Sequence, residues 1–531
     1  MAKLDPNNIK NRNFKNAGLY LKLDNVTEAN RIYEEFAQKY PDDPRAVEAY
    51  YERGKYYLDN GMSDRAKSEF NSAITKSETF RREGKDPNAF IAGEAVNALA
   101  GILHNDYMAI ELKQPASNVE AKKKELSSTL RELNQTYTKV LSFGSPRSFE
   151  ATYNIARSFE EYAQKFSDQE MNPNLDQNKR FVERQKINEQ SAALYEKAFE
   201  EYKNVVNNIP VVAERLGVDM FAEVKQTPDS VLAIQDSLQL TRVAEKDSTR
   251  ELANKWYEKA KDKVSEMLYT QASLTTENVE QAVNIVPVGN SRLQRLSYKL
   301  QVLMKVAAPA INKTIDAHIR NINEAEQSNL SNKFVEESKR QILLTKNILG
   351  QQLEELAHTA LNNYRDIAAN DLPDLVERGY EATNSEGLNY YGLDEDANQM
   401  IDYAREVSKT AIDSYASTLN MAKEFNIKSD LIRNTQDRLL RFAVEIGDEM
   451  KLLGDSATTK SEYYRVRFDS TENYDYDEAS IIFQNHTYNF QDSRRIVMEL
   501  AFDIKNENDI KNLWANKLLL RLIKLLSLIH I

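Results

Sequence analysis

Two stretches near the N-terminus carry the same arrangement of small and bulky side chains 37 residues apart, and that repetition constrains the fold more than any other feature. Within Asn11 to Pro41, Ala17 and Tyr20 fall on one face of a first helical segment. Ala29, Tyr33 and Phe36 follow on a second segment, and Pro41 stands after its last turn. In the next stretch Gly54 and Tyr57 take the places of Ala17 and Tyr20. Gly61 falls in the turn, and Ala66, Phe70 and Ala73 occupy the second segment.

Each residue type suits its slot physically. Gly54 and Ala66 let two helix backbones approach, Gly61 supplies a helix-ending conformation, and Tyr57 and Phe70 fill the groove between helices. Scarce turn formers agree with helices throughout: 531 residues hold only 15 Gly and 12 Pro.

This pattern resembles the tetratricopeptide repeat (TPR) family, in the slightly longer units common in bacterial envelope proteins. Phe90 to Leu112 and Val119 to Leu141 read as a further hairpin, with Tyr137 and Val140 in second-helix slots. Phe149 to Phe166 then reads as a first helix with Ala156 and Phe159 in the diagnostic places. Its partner, carrying Ala198, Tyr202, Val205 and Pro210, is displaced by about 30 residues. The intervening Ser167 to Lys179 is rich in Asn, Asp and Gln and reads as an inserted loop. The likeness covers roughly residues 10–210, and its motifs are structural. It implies a setting beside large bacterial envelope TPR proteins, of the kind found with gliding-motility and Tol-Pal-type systems, and it implies no chemistry. It also implies that first helices line an inner surface, placing Phe14, Leu21, Tyr51, Lys55 and Leu58 in a groove for an extended or helical peptide. The Lys/Asn clamp that some relatives use on a terminal carboxylate is absent, since Phe14 and Tyr51 stand in clamp-type slots.

Beyond residue 212 the pattern changes. Ala213 to about Glu245 is transitional, and Ser248 to Leu274 carries Leu252, Trp256, Ala260 and Val264 at helical spacing. Ile311, Ile315, Ile319 and Ile322, then Leu353, Leu356, Ala360, Leu361, Tyr364 and Ile367, predict two long helices over about 291–327 and 331–369, breaking near Gln327-Ser328-Asn329. No seven-residue repeat persists over three heptads, so a packed bundle or stretched solenoid is expected, not a coiled coil. Asp371 to Asp396 reads as a loop with a short helix, and Asp394-Glu395-Asp396 as the start of a helix pair running to about Leu453. Ser461 to Phe490 reads either as a short β hairpin or as a repeat helix from Asp477 onward, and helices resume at Asp492. The expected fold is therefore all-α: a TPR-like hairpin array over 1–212, a long-helix segment over 213–455, and a TPR-like or mixed segment over 456–525.

Leu526-Ser-Leu-Ile-His-Ile531 reads as translated read-through of a common sequencing adapter, which implies a natural gene continuing past about residue 525. The first repeat begins almost at once, so an upstream segment, with any signal peptide, is expected to be missing too.

Little here points to chemistry. The chain has no cysteine, which removes disulfides, thiolate metal sites and a cysteine nucleophile. Five histidines, at 104, 318, 358, 486 and 530, are widely separated and form no two-histidine helical metal pair. No phosphate cradle, Walker-type motif or Gly-x-Ser-x-Gly elbow occurs. Asp475 and Asp477 alternate with tyrosines and read as solvated. A net charge of −12 lacks the basic footprint of nucleic-acid binding. Lys517 to Ile531 is too short and too charged to span a membrane, and the chain reads as soluble. The expectation is a non-catalytic scaffold, without cofactor or metal, that binds proteins or peptides in a bacterial envelope complex. The alternatives are the repeat arm of a larger enzyme or signalling protein, and a cytosolic adaptor.

Overall fold

The computed structural model describes residues 6–221, 237–327, 332–379, 382–427 and 429–529. Among them every regular element is helical and no strand occurs. The chain divides into two compact units, Met1–Pro173 with Glu189–Gln271, and Asn174–Asn188 with Ala272–Ile531. This partition differs from the expected breaks near 212 and 455. The stretch up to Gln271 packs with the repeats, and residues beyond 456 share one core with the long helices.

The first unit contains α1 (Pro6–Lys22), α2 (Val26–Lys39), α3 (Ala46–Asp59), α4 (Ser63–Arg82), α5 (Ala89–Met108), α6 (Ala116–Leu141) and α7 (Arg147–Ser167). It also takes most of α8 (Gln177–Arg215) and α9 (Ser237–Val283). Tight turns join the early pairs. Asn25 caps α2 by accepting from the Glu28 amide at 3.3 Å, and Gly61 adopts φ +72° between α3 and α4. The first helices abut one another, α3 against α5 and α5 against α7, and α2, α4 and α6 each pack mainly on the first helices beside them, with Lys139 of α6 reaching Glu78 of α4 at 2.7 Å. First helices thus form an inner layer and second helices lie outside it, as hairpin stacking demands.

Two expectations about the displaced hairpin need correction. The inserted loop is shorter, residues 168–176, and it is pinned: the Glu170 amide donates to Leu112 O at 3.0 Å, and its carboxylate accepts from the Gln114 amide at 2.9 Å. Most of the insertion is helix, the first turns of α8. Pro210 does not close that helix as Pro41 follows α2. It lies inside α8, whose buried stripe of Tyr202, Val205, Ile209 and Ala213 carries on past it to Arg215. Gly217, at φ +73°, ends the helix, with the Val218 amide returning to Ala213 O at 2.9 Å.

The second unit is built on α10 (Arg292–Val302), α11 (Ala308–Gln327), α12 (Asn332–Asp366), α13 (Leu372–Arg378), α14 (Tyr390–Glu424), α15 (Asp430–Thr471), α16 (Tyr474–Glu507) and α17 (Leu513–Ile529). The centre of the expected break at 327–329 lies outside the described residues. A π turn, Leu303–Ala307, joins α10 to α11, and a second, Ile367–Asp371, joins α12 to α13. Each sits two residues before a proline, Pro309 and Pro373. Proline lacks the amide for an ordinary helical bond and crowds the carbonyl four residues back, so one wider turn lets the helix continue. This is why the short helix expected within Asp371 to Asp396 continues directly from α12, and the loop follows it, after Arg378.

Residues 461–490 are helical, against the hairpin alternative. Tyr464 stacks on Phe483 at 5.8 Å and on Tyr476 at 6.1 Å, and Ser461 and Ser480 exchange hydroxyl-to-carbonyl bonds at 2.7 and 2.9 Å. Glu472 at φ 57° and Asn473, capping with the Asp475 amide at 3.0 Å, turn the chain between α15 and α16. The aromatics that resemble β alternation locally are spaced for one helical face.

One packing device recurs in both units. A Cβ placed on Gly54 would lie 2.5 Å from the Phe70 ring, and one on Gly350 would lie 2.7 Å from Tyr415. On α15, Gly447 and Gly454 face Met498 and Phe490 at 3.2 and 3.3 Å. At each crossing a missing side chain admits a large one from the partner helix. Gly350→Ala should therefore destabilise the protein by about 1–3 kcal/mol, although helix propensity alone favours alanine by about 1 kcal/mol. Gly101→Ala, where nothing lies within 4 Å of the new methyl, should be neutral or stabilising. Thermal unfolding of the two variants reads the sign, and equal stability would mean that the crossing does not constrain the fold.

Candidate functional site

The repeat-pattern residues take several kinds of place. Ala17, Ala29, Ala66, Ala73, Ala156 and Ala198 are fully enclosed, and Tyr33, Phe70, Tyr202 and Gly54 are buried. Tyr20, Tyr57, Phe159 and Pro210 are half-buried, while Pro41 and Gly61 are exposed in turns. Of the groove set, Phe14 sets its ring edge-on against Tyr33 at 5.5 Å and Phe36 at 5.0 Å. Tyr51 packs 6.0 Å from Phe70, and burial pushes its hydroxyl up to about 12. Leu21 and Leu58 are half-buried against the same cores. Lys55 alone is exposed, 3.3 Å from Glu52 and 5.6 Å above the Tyr51 ring. Phe14 and Tyr51 thus spend most of their surface on the core.

Polar links tie the stacked helices. Asp43, 5% exposed, is held by Lys10 and by Arg45 at 2.8 Å. Burial would raise its carboxyl, but these hydrogen bonds hold it well below the usual range. The Arg45 guanidinium also covers Phe14 and Phe36 at 5.4 Å, joining the first hairpin to the second. Between α5 and α7, His104 lies 2.7 Å from Glu161, which also takes Arg157 at 2.9 Å.

A concave feature of the described first unit lies elsewhere, between the second helices α6 and α8. It is a cleft of about 590 Å³ floored by Phe159 and Tyr162 of α7 and walled by Leu130, Asn134 and Leu194. Arg131 and Lys197 stand exposed at its lip, and no carboxylate lines it. Ser158 Oγ, 2.7 Å from Asn134 Oδ1, fixes one wall. The floor is braced from behind. Tyr202 donates to Glu160 at 2.5 Å, Lys263 pairs with the same carboxylate at 2.8 Å, and Tyr153 packs between Tyr202 and Trp256. Burial, followed by the Glu160 charge, drives the Tyr202 hydroxyl far above its ordinary value, so it stays a donor. Such a cleft can hold an apolar side chain beside an acidic one. Sequence reading missed Asn134, Tyr162 and Leu194; the displacement of α8 from its hairpin partner was the available sign of an opened space.

In the second unit three titratable groups meet in the core. The Tyr364 hydroxyl lies 3.1 Å from His486 Nδ1, and His486 Nε2 lies 2.9 Å from Asp394 Oδ1. A ring carrying its proton on Nε2 satisfies both bonds. Phe483 and Phe490 enclose this array and the His486 ring is wholly inaccessible, so it reads as a structural link between α12, α14 and α16. Asp394 does not begin its helix: Asn389 caps α14 five residues earlier by accepting from the Gly392 amide at 3.0 Å. His318 is also buried, and burial pulls its pKa down to about 4. Among the described residues no group of three or more His, Asp or Glu is placed to hold a metal ion. Nor is any described helix long and apolar enough to cross a membrane. His530 lies outside the described residues.

His358 on α12 meets Glu449 on α15 at 2.8 Å, and Arg365 joins the same carboxylate at 2.7 Å. The Glu449 hydrogen bond holds His358 above its ordinary value of 6.5 against the opposing effect of burial. Burial would raise Glu449, but His358 and Arg365 bring it below its ordinary value of 4.5. The histidine's contribution to stability is thus complete below about pH 6.5 and is lost as pH rises through its elevated folded-state value. The glutamate's contribution is present above about pH 4.5 and is lost on acidification. With the His358 side chain one-third exposed, the pair is worth at most about 1 kcal/mol. The thermal midpoint should fall between about pH 6 and about pH 9 more steeply in the wild type than in His358→Gln; parallel pH profiles would rule out the linkage.

A scan against protein-family models finds no match, and neither does a search of curated proteins. Among solved structures, the TPR domain of P58(IPK) is similar at 13% identity over 82% of this chain and 98% of that one, with a TM-score of 0.20. A computationally designed self-assembling cyclic homo-oligomer is similar at 13% identity over 78% of this chain and 99% of that one, also with a TM-score of 0.20. At that score neither likeness bears on this chain's fold or role, which rest on its own geometry.

Proposed function

We propose that this chain is a non-catalytic scaffold of the TPR type that holds other proteins, and that it works in a bacterial envelope-associated complex. One observation carries the scaffold reading: first helices abut as an inner layer with second helices outside them, which leaves extended outward surface and the α6–α7–α8 cleft. The cleft's lining suits docking. Phe159, Tyr162 and Leu194 offer apolar area, Asn134 and Gln135 offer hydrogen bonds, and Arg131 and Lys197 favour an acidic partner. The envelope setting is supported by the likeness of the residue 10–210 motifs to large envelope TPR proteins.

The full chain, immobilised and exposed to extract from its source organism, should retain a stoichiometric partner. The lip variant Arg131→Glu/Lys197→Glu, with an unchanged circular-dichroism spectrum, should retain at least about tenfold less of it. A partner held equally by both proteins would move the docking surface off this cleft. Failure to enrich any protein over the blank matrix, or substrate turnover by the purified chain, would overturn the scaffold reading. Fractionation of the source cells tests the setting, and recovery solely from the cytosol would exclude the envelope.

A further inference from the structure

Between α15, α16 and α17 lies a second cavity of about 590 Å³, apart from the first-unit cleft and independent of the scaffold reading. Met450, Gly454, Phe490 and Leu525 give it apolar walls. Lys451, Asp455, Asp492, Arg494 and Arg495 supply its charges. Four of these five are already paired: Lys451 with Asp455, and Arg495 with Asp492 at 2.7 Å. Arg495 also reaches Glu499 at 2.9 Å, and nearby Asp448 is taken by Arg521 at 3.0 Å.

Arg494 is the remainder. It is 6% exposed, its Nε is buried with no acceptor, and it makes no ion pair or hydrogen bond among the described residues. A guanidinium removed from water without a counter-charge is costly, and native interiors keep such a group rarely. Burial pulls Arg494 below the ordinary arginine value even though Asp448 and Asp455 act to raise it. Among the lining residues the Lys451–Asp455 and Arg495–Asp492 pairs cancel, which leaves Arg494 as the lining's one unpaired cation against apolar walls, while Glu499, shared with Arg495, lies outside the lining.

We propose that this cavity is a binding site for a monoanionic carboxylate attached to a compact apolar group, with Arg494 as its counter-ion. The carboxylate would accept from the Arg494 guanidinium, while its apolar body rests on Met450, Phe490 and Leu525. Asp455 and Asp492 at the rim disfavour a dianion, so phosphate is a poor fit. Two sources share the favoured chemistry, the terminal residue of a peptide and a short acyl chain.

The test uses the full chain with four small probes, N-acetyl-leucine, N-acetyl-leucinamide, octanoate and inorganic phosphate, followed by ligand-observed NMR titration. At least one carboxylate should bind, and N-acetyl-leucinamide should be at least about tenfold weaker than N-acetyl-leucine if the peptide-like probe is the one. Preference between N-acetyl-leucine and octanoate identifies the source. Arg494→Met should abolish carboxylate binding, and Arg495→Met should retain it. Because the buried charge has no partner, Arg494→Met should also leave the thermal midpoint unchanged or raise it. The proposal is overturned if neither carboxylate binds, if phosphate binds as well as they do, if Arg494→Met still binds, or if that variant melts markedly lower or fails to fold.

Discussion

Close contact between a helix backbone stripped of its side chain and an aromatic ring from the neighbouring helix is the constraint on which the architecture depends. Gly54 against the Phe70 ring sets the crossing of α3 and α4, and Gly350 against the Tyr415 ring that of α12 and α14. A ring seated on bare backbone fixes both the spacing and the register of two helices, since sliding either by one residue puts a Cβ where the ring sits. Long helices with one apolar stripe gain little from propensity alone. Crossings of this kind give them a unique neighbour.

Charge follows the same geometry. Carboxylates drawn into the stack are met by cations from adjacent helices: Glu160 by Lys263 and Glu354 by Arg438. Each pair offsets a desolvation cost and, because its members come from different helices, discourages alternative pairings. His486 with Tyr364 and Asp394 serves the second core in the same way. Against this background Arg494 stands out, a buried cation whose surrounding carboxylates are committed to other partners. An unpaired buried charge is costly, and native interiors hold few of them.

The early hairpins were legible because their side-chain periodicity is local. Ala17, Ala29, Gly54, Ala66 and Phe70 stand at offsets that only paired helices explain, and the helical character of residues 291–369 follows from its isoleucine and leucine spacing. The misreadings share one cause. Pro210 reads as a helix stop because proline ends an isolated helix, whereas a buried stripe on either side carries α8 through it. Tyr464, Tyr476 and Phe483 look like strand alternation over a few residues, yet they stack across a helical hairpin. Asp394 looked like a cap because acidic residues favour helix starts, but Asn389 reached the free amides first.

By itself the amino-acid order determined that this protein is helical, that its early segments pair, and which small residues sit at their crossings. These properties depend on spacing along one chain and on the size of single side chains. Only the tertiary structure decided that α8 opens a cleft against α6, that Phe14 and Tyr51 turn inward, and that Arg494 is left without a carboxylate. Those outcomes depend on which distant surfaces meet and on how many partners each charge finds there, quantities that no local pattern encodes.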